Sequence, residues 1–318
     1  MRNVSLRQLR SMLAIARRGT VAHAARDLYL TGPAVTLQIR QLEEEVGLPL
    51  FDRTSAGMLP TEAGRALIET AAKVEGLLSE CADRLAALKG LDAGHVSIGV
   101  VSTAKYFAPR AIAAFAQMHP GIETSLLVGN RLEILEALRT HRADIVLMGR
   151  PPADIDLVHA LLGPHPLVVI AHPDHPLAAA KAIPRESLHG QTFLLRETGS
   201  GTRTAFEGFL AEALGLAAGL RFSEMGSNET IKQAVMAGLG VAFLSGHTIG
   251  AELESGRLAV LDVVGTPVMR EWFVVRRADR TPSPSTAAFE RFVTDRVADF
   301  LPEIQRFLRG GTATRPAG

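Results

Sequence analysis

The sequence predicts a mixed α/β protein in three parts: an N-terminal winged helix-turn-helix, one long helix, and an α/β unit of two subdomains around a cleft. Three observations predict it. Apolar residues recur at spacings of three and four over three short segments before Gly47. From Thr61 to Lys89 a similar repeat runs without an interrupting proline. Beyond Gly94, short Val/Ile/Leu runs alternate with helical patterns, the mark of α/β packing.

Composition narrows the function. The 318 residues suffice for two or three domains, and 47% hydrophobic with 21% charged residues is ordinary globular material. Aromatics at 5% argue against a base-stacking platform for single-stranded nucleic acid. A net charge of +1 means that any DNA-binding surface must be local. The single cysteine, Cys81, excludes an internal disulfide framework and a cysteine-based zinc site. The opening residues lack the apolar core of a secretion signal, and no apolar run reaches the ~18 residues of a membrane span. A cytoplasmic protein without a membrane partner is therefore expected.

The first helix is expected to begin near Ser5, with Leu6, Leu9, Leu13 and Ala16 on one face and Gly19 as its stop. Thr20 caps a second helix that turns Val21, Ala24, Ala25 and Leu28 inward. Thr31 caps a third, and Pro33 suits its first turn, where no intrahelical N–H partner is needed. Val35, Ile39, Leu42 and Val46 form its buried stripe, which leaves Thr36, Gln38, Arg40 and Gln41 facing away from the core. A helix of that size enters a major groove, where Gln and Arg can reach base edges. Residues 50–61 then read as two short strands around a glycine turn, a wing carrying Arg53. Residues 1–65 hold nine arginines (2, 7, 10, 17, 18, 26, 40, 53, 65) against six acids (27, 43, 44, 45, 52, 62). On periodicity alone, a plain three-helix bundle with solvated arginines reads equally well.

The pattern Leu6-x-x-Leu9, Ala24-Ala25-x-x-Leu28, Pro33-Ala34-Val35-Thr36-x-Gln38-Ile39-x-x-Leu42-Glu43, Gly47-x-x-Leu50-Phe51-x-Arg53 and Leu59 through Gly64 closely resembles the winged helix-turn-helix of the LysR-type transcriptional regulators. The resemblance implies that Pro33, Ala34, Thr36 and Gln38 face the groove and that Arg53 reaches phosphate or the minor groove. With the cap Thr31 and the outward Arg40, these form the expected DNA-binding set. Gly32 departs from the glutamine usual in the family, which removes direct readout there, and His23 and Leu37 stand where polar variants are common.

In the long helix Leu67, Ala71, Val74, Leu78, Cys81, Leu85 and Leu88 alternate by four and three, a heptad seam. Such a seam either packs on its own domain or pairs two helices; the strict 3.5-residue period favours the pair. The resemblance implies a linker helix that dimerises the DNA-binding units, a homodimer or homotetramer, and an operator with matching two-fold symmetry. The expected divisions are 1–62 for DNA binding, 63–90 for the linker, 91–305 for effector binding, and a tail at 306–318. Within the effector-binding part, subdomain I covers about 91–163 and 268–305, and subdomain II about 164–267.

In that part strands are expected at 95–101, 123–128, 143–148, 164–171, 192–195, 220–224, 241–244 and 272–275. Helices are expected at 109–117, 132–140, 204–214, 228–237 and 285–301. Two crossovers, near residues 163–166 and 265–269, would make a hinged pair. Residues 91–303 resemble the LysR-type effector domain, with its periplasmic-binding-protein fold. Val101-Ser102-Thr103-Ala104-Lys105-Tyr106-Phe107, Met148-Gly149-Arg150-Pro151-Pro152, Ala171-His172-Pro173-Asp174-His175-Pro176, Gly199-Ser200-Gly201-Thr202-Arg203 and Met225 through Val235 are similar to the subgroup that regulates Calvin-cycle carbon-fixation operons. A regulator of sulfur assimilation is the nearest competing member.

Thr198, Gly199, Ser200, Gly201, Thr202 and Arg203 lie between a strand and a helix, where glycines, hydroxyls and free N–H groups suit an anion. Ser102, Thr103 and Lys105 follow another strand, and the two loops together would clamp an anion. Hydroxyls at helix starts also serve as plain caps. Lys105 and Arg203 oppose the helix dipole there unless an anion is present. Met148 and Arg150 end a strand facing the same hinge; Asn228 is expected to cap a helix, and Ser245 and His247 follow a strand end. The carbon-fixation resemblance implies a central-carbon effector such as a sugar bisphosphate, phosphoenolpyruvate or a nicotinamide nucleotide. It also implies promoter DNA and RNA polymerase as partners, with activation as the output. An enzyme using the 198–203 loop is the alternative of a different class. It lacks a zinc-type His spacing, a G-x-S-x-G elbow and the Lys-Ser/Thr ending of a phosphate-binding loop. No catalytic residue, metal or cofactor is expected.

Overall fold

A computed structural model describes residues 3–55, 57–88, 93–211 and 220–304. The expected end of the long helix at 89–92, the last residues of the 204–214 helix and the 306–318 tail lie outside them. The described chain divides into two units, residues up to 82 with 140–142, and the rest.

In the first unit each helix starts and stops on the residues that local chemistry assigns. Helix α1 (Leu6–Arg18) has a reciprocal cap between Ser5 and Gln8 and ends at Gly19 in the left-handed region. Helix α2 (Val21–Asp27) is capped by Thr20, and α3 (Gly32–Val46) by Thr31, whose hydroxyl accepts from the Ala34 N–H. Strands β1 (Phe51–Thr54) and β2 (Gly57–Pro60) form the antiparallel wing. The wing is tied to α1 where the Met58 N–H donates to the Gly19 carbonyl at 2.7 Å. A Cβ on Gly57 would stand 2.4 Å from that same oxygen, so the close approach requires glycine. Met12, Ile15, Val35, Leu42 and Leu50 fill the core.

Helix α4 (Glu62–Leu88) is continuous, but its seam has two destinations. Leu67 and Ala71 are buried in the core of the first unit, with Val74 packed against it. Leu78 is 41% and Leu85 53% exposed, and Cys81 is exposed as well. The packing of the seam on its own domain therefore holds for its first turns. The first turns cover the unit's own core, and only the later positions remain open to a partner. Leu88's side chain lies outside the described part.

The second unit is built on one sheet ordered β4-β3-β5-β11-β6-β9-β7-β8, with β10 (Ala259–Leu261) beside β6. Strands β3 (Gly94–Val101), β4 (Ile122–Gly129) and β5 (Ile145–Met148) are mutually parallel and carry α5 (Ala108–Met118) and α6 (Arg131–Arg139). Strands β7 (Thr192–Arg196), β8 (Arg221–Met225) and β9 (Val241–Ser245) are likewise parallel, with α7 (Gly201–Ala211), α8 (Asn228–Met236) and α9 (Gly250–Glu254). Separate cores serve the two lobes: one centred on Ile98, Phe115, Leu147 and Phe289, with α10 (Pro284–Arg296), the other on Phe193, Phe206 and Phe243. Both crossings run along paired strands, with residues 264–267 forming a turn ahead of the second. Strand β6 (Leu157–Ala171) and β11 (Val268–Arg277) pair antiparallel along their length, with a register shift at Trp272/Phe273. Backbone pairing satisfies the polar groups of both crossings, which a buried loop could not do.

Candidate functional site

On the first unit, the outward face of α3 differs from the expected one. Arg40 and Gln41 are exposed, as are Thr31 and Pro33, while Ala34 is half-buried. Thr36 and Gln38 lie on the flanks and bond inside the protein. Thr36 donates to the Gly32 carbonyl at 3.0 Å, and Gln38 Oε1 accepts from the buried Ser11 hydroxyl of α1. Gln38 is thus a clamp between α1 and α3. It stands one residue from the buried Ile39, close enough to the core for α1 to capture its amide. Arg40 pairs with Glu44 at 3.1 Å, and Arg53 is exposed on the wing.

On the second unit, a cavity of about 230 Å3 lies between the lobes. One wall holds Ser102 and Thr103 from the end of β3, Asn130 and Arg131 from the start of α6, and Gly149 and Arg150 beyond β5. Facing them are Ser200, Gly201, Thr202 and Thr204 at the start of α7, with His165 of β6 and Arg270 of β11 crossing between. Thr103 precedes a short 3-10 turn (Ala104–Tyr106) without capping it through its side chain, so its hydroxyl is not spent on the turn. Among the described residues, Arg131, Arg150 and Arg270 form no salt bridge with a carboxylate. Burial lowers the pKa of Arg131, the sign of a cation partly stripped of water.

His165 and Arg270 are cross-strand partners. The His165 ring stacks on Trp272 at 3.9 Å, and its Nε2 meets the Ser245 hydroxyl at 2.9 Å. Burial, then the neighbouring His247 and Arg270, drives its pKa down to about 3, so the ring is neutral. Trp272 Nε1 donates to His247 Nδ1 at 3.0 Å, and burial lowers His247 to about 4. Ser245 and His247 therefore support the cavity floor from behind rather than line it.

Several other expected residues stand elsewhere. Arg203 is held by Glu224, by Glu207 at 3.0 Å and by the Arg196 carbonyl. Lys105 is paired with Glu229 at 2.9 Å. Those carboxylates, supplied by β8, α7 and α8, do for each cation what an anion was expected to do. Met148 is fully buried in the first lobe's core, opposite Phe273. Thr198 and Gly199 are off the cavity wall; Gly199 has φ +90°, and a Cβ there would stand 2.7 Å from Leu132 Cδ1. The cap of α8 is Ser227, not Asn228, and Asn228 is buried, its Oδ1 accepting from Arg196 Nη1 at 2.7 Å.

These residues form a latch between the lobes beside the cavity. Arg196 Nη2 donates to Ser102 Oγ at 3.0 Å, and Tyr106 Oη donates to Glu229 at 2.5 Å. Burial opposes ionisation of Glu229, but Tyr106 and Lys105 outweigh it and hold the carboxyl at about 2. Ser102 belongs to both latch and cavity, so a ligand on Ser102 touches the groups that hold the lobes together.

Sequence reasoning missed Asn130, Arg131, Thr204, His165 and Arg270. Asn130 had a signal: Asn130 and Glu133 cap α6 reciprocally, a pattern visible as N-x-x-E before an apolar run. Arg270 and His165 had none, because their meeting depends on the β6/β11 register.

Comparison with known proteins gives the family. The model of the bacterial regulatory helix-turn-helix protein, lysR family, matches residues 6–65, and that of the LysR substrate binding domain matches residues 89–298. The chain is 51% identical over 312 residues to the HTH-type transcriptional regulator CbbR of Sinorhizobium medicae, covering 96% of this chain and 97% of the relative. It is 41% identical to CfxR of Cupriavidus necator, covering 95% and 94%. Among solved structures, the Synechocystis PCC6803 CcmR regulatory domain in complex with 2-PG is 38% identical with a TM-score of 0.60, covering 63% of this chain and 96% of that one. Full-length CbnR complexed with its target DNA matches in fold, with a TM-score of 0.65 at 22% identity over 92% of this chain and 99% of that one. Among the described residues there is no cluster able to hold a metal ion and no helix long and apolar enough to cross a membrane. With both family models matched across most of its length, the chain belongs to the LysR family of bacterial transcriptional regulators and is not an enzyme.

Proposed function

We propose that this regulator controls transcription of carbon-fixation genes and that a small phosphorylated anion sets its state by binding between the lobes. Relatives named CbbR and RuBisCO operon transcriptional regulator support the target. The observation that carries the effector reading is the cavity with Arg131, Arg150 and Arg270 on its wall, together with the hydroxyls of Ser102, Thr103, Ser200 and Thr202. A volume near 230 Å3 falls below the ~300–1,000 Å3 of drug-sized sites. That favours a compact phospho-acid or sugar phosphate, the class of the 2-PG bound to CcmR, over a nicotinamide dinucleotide. Calorimetric titration of the full chain with 2-PG, phosphoenolpyruvate and a sugar bisphosphate tests this, as does footprinting on the promoter upstream of its own gene. Binding by none of the three would remove the effector reading.

Residues 1–62 are proposed to bind the operator through Thr31, Pro33, Ala34, Thr36, Gln38, Arg40 and Arg53, and residues 91–305 to hold the effector. The finished complex engages RNA polymerase in the cytoplasm. Residues 63–90 carry the dimer contact through Leu78, Cys81 and Leu85, the seam positions left open. Leu78→Asp places a charge in that contact and should disperse dimers, at a cost of ~3 kcal/mol or more. Sedimentation showing an unchanged assembly would place the interface elsewhere.

A further inference from the structure

We infer that Leu37 is a specificity-determining residue of α3, reading thymine methyl groups in the major groove by apolar contact. The inference rests on the DNA-binding reading of the first unit. A helix advances about 100° per residue, so Pro33, Leu37, Arg40 and Glu44 share the face opposite Val35, Ile39 and Leu42. Leu37 sits at the centre of that face and is 55% exposed. Of its polar neighbours, Thr36 bonds to the Gly32 carbonyl and Gln38 Oε1 to Ser11, while Arg40, in a surface pair with Glu44, and Gln41 stay exposed. The apolar group that α3 offers a groove at this level is the Leu37 side chain, one turn beyond the Pro33 ring.

Base edges differ in how they receive an isobutyl group. In the major groove only thymine presents an apolar substituent, its C5-methyl; the other three bases present hydrogen-bonding groups and bare ring C–H. Leucine against a methyl buries apolar surface from both partners. Against a donor or acceptor it displaces water and returns nothing. Discrimination therefore comes from attraction to thymine and from the unpaired polar edge of any other base. The local charge supports duplex DNA as the occupant, since residues 1–65 hold nine arginines against six acids.

The test uses the full chain and the promoter duplex upstream of its gene. Each thymidine in the footprint is replaced in turn by deoxyuridine, which removes the methyl and leaves every hydrogen-bonding atom. At the contacted position of each half-site, deoxyuridine should weaken binding about fourfold, the worth of one buried carbon. Leu37→Ala should lower affinity for the unmodified duplex by a similar or larger factor and be indifferent to deoxyuridine at that position. Its salt dependence should stay unchanged, because no phosphate contact is lost. Two results overturn the inference: deoxyuridine without effect at every position, or a deoxyuridine loss that persists undiminished in Leu37→Ala. Failure of the unaltered chain to bind any promoter duplex would instead overturn the DNA-binding reading, and this inference with it.

Discussion

Arg270→Ala should weaken binding of a phosphorylated anion by tenfold or more, the worth of one charge-assisted hydrogen bond at ~1.5–3 kcal/mol. Arg131→Ala should do the same, more so because Arg131 is partly stripped of water before any ligand arrives. Arg203→Ala is the control. Its guanidinium is held by Glu224 and Glu207 and stands off the cavity wall, so effector affinity should hardly move. Thr202→Ala should fall between, a lost neutral donor costing ~1 kcal/mol. Isothermal titration with 2-PG and phosphoenolpyruvate gives the comparison. Equal losses for Arg203→Ala and Arg270→Ala would mean a field effect rather than a contact, and the assigned wall would be wrong. Affinity for the effector and occupancy of the promoter are linked, so each arginine lost should also shift the effector concentration at which the footprint changes.

Acid should unfold the second unit well before carboxylate chemistry alone would. His165 and His247 are neutral in the fold, at about 3 and about 4, against an ordinary histidine near 6.5. Both pKa values are depressed by burial, so the unfolded chain takes up protons that the folded one refuses. The stability these rings contribute is intact above pH 6.5 and is lost as pH falls below it. Each ring costs up to ~1.4 kcal/mol per pH unit, on the order of 4 kcal/mol for the pair between pH 7 and 5. Trp272, the single tryptophan, lies against both rings and reports this unit alone in urea unfolding followed by fluorescence. His165→Phe keeps a ring on Trp272 and removes one titration, so it should roughly halve the slope. A flat stability between pH 7 and 5 would contradict the buried neutral pair.

What the sequence determined by itself was local. Ser5, Thr20 and Thr31 each offer a side-chain oxygen to an orphan N–H three residues on, so the helix starts of the first unit were legible from single residues. The alternation of strands and helices beyond Gly94 was legible for the same reason, since period and length suffice to tell them apart. Hydroxyls were legible as cavity candidates, and Ser102, Thr103, Ser200 and Thr202 do line the wall.

Only the tertiary structure decided where charge was free. Lys105 and Arg203 looked unneutralised along the chain, yet Glu229, 124 residues away, pairs with Lys105, and Glu224, 21 residues away, joins the nearby Glu207 on Arg203. Arg131 and Arg270 looked ordinary and emerge without a salt bridge among the described residues. Gln38 looked outward until Ser11 of α1 met it. The seam of α4 could be read from spacing, but not the point at which it stops covering its own core. The physical reason is common to all four. A cap or a periodicity is settled within a few residues, whereas the fate of a charge or an amide depends on which partner the packing brings within about 3 Å.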